Sequence, residues 1–60
     1  MNIWDLKIGD KGRSKGGTVY TVIRDTQERL PGYGDVPIRI TQDEDGRVQK
    51  FFRGIEVTPV

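Results

Sequence analysis

No position in this 60-residue chain is a cysteine or a histidine. A chain this short buries only roughly 60% of the surface its unfolded form exposes, which places it near the limit of independent folding. Disulfides or zinc–thiolate clusters commonly stabilise folds of this size, and neither can form here. What remains is an economical, nearly closed sheet, or self-association into a homodimer. Hydrophobic residues make up 33% and charged residues 32% of the chain. That is lean, but the apolar residues fall in alternating runs, which marks a folded chain rather than a disordered one. Sixty residues hold one domain, 1–60.

Eight glycines and three prolines divide the chain into short β-branched and aromatic runs. This spacing predicts an all-β, antiparallel domain of five short strands, roughly 7–15, 18–24, 36–42, 47–53 and 55–58. In "DVPIRITQ", Val36, Ile38 and Ile40 alternate with Pro37, Arg39 and Thr41. Val48 and Phe52 share a parity on the return strand, and Asp45-Gly46 between the two strands is a hairpin signal. Pro37, lacking an amide donor, belongs at a strand start or on an edge. "GGTVYTVIR" offers Tyr20 and Val22 on one face and Val19 and Ile23 on the other. Ile55 and Val57 point inward on the last strand. The polar segment Asp25–Asp35 reads as a long connection, and Asp25–Leu30 has the composition of one helical turn.

The opening strand carries the main functional signal. In "LKIGDKGRSK", Lys7, Lys11, Arg13 and Lys15 share one parity and therefore one face, while small residues such as Gly12 point inward. Arg47 and Arg53 extend this basic face across the sheet. Tyr33, between two glycines, and Phe51, opposite in parity to Phe52, are candidates for base stacking. Cations tracking a phosphate backbone predict nucleic-acid binding with steep salt dependence. The competing reading is that lysines on an edge strand only prevent edge-to-edge aggregation.

Other chemistry is poorly supplied. "GRSKGGT" has Thr18 where a phosphate-binding loop needs lysine, and no helix follows it. Asp43, Glu44 and Asp45 read as a solvated turn, since Thr41 and Phe52 stand where a calcium loop needs Asp and Glu. Thiol and histidine-triad catalysis are absent. The expectation is therefore no enzyme, no metal and no cofactor. The N-terminus has no basic region ahead of an apolar run, and no stretch approaches a membrane span. With no cysteine and a start at Met1, the chain reads as a complete cytoplasmic protein that does not engage a membrane.

The "KIGD.GR.KGG..YTV" opening, the long loop, the hairpin and the short last strand after "FRGIE" together resemble SH3-like small barrels. KOW- and Tudor-type modules and short phage and bacterial proteins are similar. The resemblance implies a five-stranded, partly open SH3-like barrel acting as a small binding module. In outline the chain is also similar to type II dihydrofolate reductases, whose late strand lines a pore formed by four chains. Val48 and Gln49 match that strand, but Arg47, Lys50 and Phe51 replace its serine, isoleucine and tyrosine. A reductase would need a tetramer that binds NADPH. The remaining alternative is a protein-interaction adapter or inhibitor of phage or plasmid type, with Trp4 and Tyr33 contacting a protein partner. Trp4 equally fits closure of the barrel end.

Overall fold

The computed structural model describes residues 1–60. A short 3-10 turn, Ile3–Asp5, precedes β1 (Lys11–Ser14), β2 (Val19–Leu30), β3 (Gly34–Asp43), β4 (Val48–Phe51) and β5 (Val57–Pro59). All pairings are antiparallel, in the order β4-β3-β2-β1-β5. The sheet does not close on itself, so the fold is a partly open, all-β arrangement compatible with an SH3-like barrel.

The first strand is shorter than the alternation predicts, because Lys7–Asp10 forms a turn instead. Asp10 folds back so that its carboxylate accepts the Lys7 N–H at 3.1 Å, and its own N–H donates to the Lys7 carbonyl at 2.9 Å. Pairing with β2 then runs from Lys11 to Arg13. Gly12 is buried, and a Cβ there would sit 2.9 Å from side-chain atoms of both Leu6 and Val57. The inward small residue is therefore required by close packing.

The largest departure from the sequence reading lies in Asp25–Asp35. This segment is neither a long loop nor a helical turn. β2 continues to Leu30 and β3 starts at Gly34, making one long hairpin closed by Pro31, Gly32 and Tyr33. The turn needs positive φ at Gly32 and Gly34, where a side chain would be strained. A bulge at Ile23, between the Val22–Thr41 and Arg24–Ile40 pairs, lets the strand continue beyond the first barrel wall. Cross-strand partners from Asp25 to Leu30 outweigh the weak local preference for a turn of helix.

The register also assigns faces. Ile3, Leu6, Val22 and Val57 form the buried core, with Trp4, Tyr20, Phe51 and Ile55 packed against it. Arg39 and Thr41 face this core and are buried, although the alternation reads them as outward. Ile38 and Ile40, on the opposite face of β3, are buried as well. Both faces of β3 are therefore covered. The Asp43–Arg47 turn follows expectation, with Gly46 at φ 83° and the Asp43 carboxylate accepting the N–H groups of Asp45 and Arg47, each at 2.9 Å.

Pro37 sets where β4 stops. The Asp43 N–H donates to Arg47 on the β4 side, so Thr41, Arg39 and Pro37, at the same parity, turn their backbone groups that way too. Arg39 pairs with Phe51, but Pro37 has no N–H to continue the ladder. The chain leaves the sheet after Phe51. Pro37 therefore lies on a free edge, though inside β3 rather than at its start.

Candidate functional site

Lys7, Lys11, Arg13 and Lys15 are all exposed, and none takes part in an ion pair. Lys11 and Arg13 lie on β1 and share its outward face, about 7 Å apart at two residues of strand rise. Lys7 and Lys15 sit in the turns at either end. β1 is an interior strand, paired with β2 on one side and β5 on the other. The outermost strands are β4 and β5, and β1 is paired on both sides, so Lys11 and Arg13 protect no edge.

The carboxylates nearby are engaged elsewhere. Asp10 holds the Lys7 backbone, and Glu44 accepts the Val19 N–H at 3.1 Å. Glu56 accepts the N-terminal ammonium at 2.6 Å, which holds its carboxyl below the usual range; the charge of Lys15 adds to that lowering. Arg47 stands in the β3–β4 turn, three strand spacings or about 14 Å from the β1 cations.

The aromatic candidates separate from this cluster. Tyr33, at 82% exposure, stands at the tip of the β2–β3 hairpin. Nine residues of β2 lie between the partner of Lys11 and the hairpin turn, a run of about 30 Å. Phe51 is half-buried, with its ring edge-on to Tyr20 at 5.2 Å, while Phe52 is the exposed member of the pair. Tyr33, Phe52 and Arg53 come together with Leu30 and Val36 to line one apolar groove. Phe52, Leu30 and Val36 are the residues of this groove that the sequence did not mark as site candidates; alternation placed Val36 and Phe52 only as strand residues.

Trp4 is half-buried under Arg39, whose guanidinium carbon lies 5.2 Å from the ring centroid. Arg39 is the polar centre of the fold. Its Nε and Nη2 donate to the two oxygens of Asp25 at 2.8 and 3.0 Å, and its Nη1 donates to the carbonyls of Ile3 and Leu6 at 2.7 and 2.6 Å. Hydrogen bonding to Arg39 holds the Asp25 carboxyl below its ordinary value, and hydrogen bonding to Asp25 raises the pKa of Arg39. This guanidinium joins the 3-10 turn to the sheet. It therefore positions Trp4 rather than serving as a binding cation.

Gln49, which matches the reductase strand, is half-buried and donates to Asp43 at 3.4 Å. No helix is long and apolar enough to cross a membrane. Comparison with family models, curated proteins and solved structures gave no match.

Proposed function

We propose that this chain is a small, non-enzymatic binding module that contacts the phosphate backbone of nucleic acid through Lys7, Lys11, Arg13 and Lys15. The observation that carries this reading is the position of β1. Its two cations stand on an interior strand, unpaired, where edge protection gives no reason for them. Two unpaired cations about 7 Å apart on one face can both reach a single phosphodiester backbone. Such contacts read charge and not sequence. The resemblance of the opening to KOW- and Tudor-type modules is in keeping with a binding role.

The test is a titration of the 15N-labelled chain with a mixed-sequence oligonucleotide, single- and double-stranded, at several salt concentrations. The reading expects amide shifts confined to residues 7–15 and affinity falling with salt, with a log–log slope of about 0.7–0.9 per phosphate contacted. Lys11→Glu with Arg13→Glu should weaken binding at least tenfold while leaving the fold intact. Absence of shifts at low salt, or unchanged affinity in the double variant, contradicts the reading.

A further inference from the structure

We infer that the groove lined by Leu30, Tyr33, Val36, Phe52 and Arg53 docks an extended peptide segment of a protein partner, one that carries an apolar side chain beside a carboxylate. This surface is independent of the basic face at the other end of the molecule. Three observations converge on it.

The first is its lining. Four of the five residues are hydrophobic, and two of them, Tyr33 and Phe52, remain 82% and 46% exposed. An exposed aromatic pair flanked by Leu30 and Val36 gives apolar area to bury and little conformational entropy to lose, the usual anchor chemistry of protein recognition.

The second is the open backbone alongside. Because Pro37 ends the β3–β4 ladder, the free edge of β3 next to the groove presents the N–H and carbonyl of Asp35 and the carbonyl of Pro37. An extended segment can exchange hydrogen bonds with these groups while its alternate side chains enter the groove. The proline leaves this edge one donor short, which disfavours long strand pairing with a second copy.

The third is charge. Glu28 is neutralised by Lys50 at 2.6 Å, and Asp35 lies 3.9 Å from Arg29. Arg53 alone among the lining residues is charged, and it has no carboxylate within 4.0 Å. The groove is thus an apolar trough with one uncompensated guanidinium, complementary to a carboxylate that can accept its paired N–H donors.

The test is selection from a displayed library of random twelve-residue peptides against the folded chain, followed by binding of individual peptides to variants. The inference expects enrichment of sequences with a large apolar residue near Asp or Glu. Bound peptide should shift the amides of Asp35, Val36, Phe52 and Arg53. Tyr33→Ser and Arg53→Gln should each weaken binding at least tenfold, and neither should alter nucleic-acid affinity at the β1 face. Trp4 fluorescence verifies that these exposed-site variants fold. Failure to enrich any peptide overturns the inference, as does equal binding by both variants. It is also overturned if sedimentation shows a concentration-dependent dimer abolished by Val36→Lys, or if oligonucleotide shifts fall on Tyr33 and Phe52, because another occupant then owns the groove.

Discussion

An ion pair lies on each face of strand β3, and the two work in opposite ways. On the core face Arg39 is 5% exposed and holds Asp25 together with the carbonyls of Ile3 and Leu6. On the opposite face Lys50 pairs laterally with Ile40, and Glu28 with Val36. A bridge between these two side chains crosses β3 over Ile38. The 2.6 Å Lys50–Glu28 contact thus acts as a strap across an isoleucine with no exposed surface. One pair is a connector whose guanidinium is buried while its carboxylate is half-exposed. The other is a solvated bridge between β4 and β2, whose long aliphatic stem can lie along the apolar surface it crosses. A buried pair is costly to break on one side, whereas an exposed pair contributes little by its charge.

This contrast orders the expected effects. Arg39→Ala should cost about 3–5 kcal/mol, since it leaves the buried carbonyls of Ile3 and Leu6 without their donor and empties the space of a buried guanidinium. A core of this size rarely supplies more than about 3–5 kcal/mol in total, so the variant should be largely unfolded at 25 °C by circular dichroism. Native dispersion in its NMR spectrum would break the comparison.

Asp25→Asn should cost less, about 1–2 kcal/mol, because the Asp25 side chain is 44% exposed and water moderates the loss. It also has a pH signature. The folded carboxyl titrates below its ordinary value of 3.8. Its contribution is therefore complete above that value and is lost as pH falls through the lowered one. Urea midpoints of the parent chain should drop below about pH 4, and the Asn variant should show a flatter acid limb. The raised pKa of Arg39 acts at the alkaline end. Its contribution is complete below the ordinary arginine range and is lost only above it, outside the range of such an experiment.

Lys50→Met should change stability by less than about 1 kcal/mol, because the apolar stem still covers Ile38 while the charge is lost. Lys50→Ala should cost more than Lys50→Met. Equal losses in the two variants would show that charge, not the stem, does the covering.

The parts of the molecule legible in the sequence are those encoded locally. The Asp45-Gly46 turn, the small residue at Gly12, the inward Val57 and the all-β class each follow from a few neighbouring residues. The β2–β3 hairpin was hidden because Asp25–Arg29 is polar on both parities. A strand announces itself by one apolar face, and here that face is half-covered by Thr26 and Glu28. Arg39 was hidden for a different reason. Flanked by Ile38 and Ile40, it fits the solvent side of an alternating strand. Its partners are a carboxylate 14 residues away and two carbonyls 36 and 33 residues away, and no local pattern encodes them. The candidate site divided in the same way. The cations of β1 were visible as a parity. The groove was not, because it unites the hairpin turn with Phe52 and Arg53 through a ladder that Pro37 terminates.

The most direct test of the account is equilibrium urea unfolding of the double variant Arg39→Met with Asp25→Leu, followed by the fluorescence of Trp4, the single tryptophan. An ordinary buried ion pair can be replaced by apolar residues with no loss, or even with a gain. Here the account predicts a loss of at least about 2 kcal/mol, since the carbonyls of Ile3 and Leu6 lose their donor whatever fills the space. Trp4 should become solvent-exposed before the sheet unfolds. A double variant as stable as the parent, with Trp4 still half-buried, would contradict the claim that Arg39 holds the N-terminal turn to the sheet.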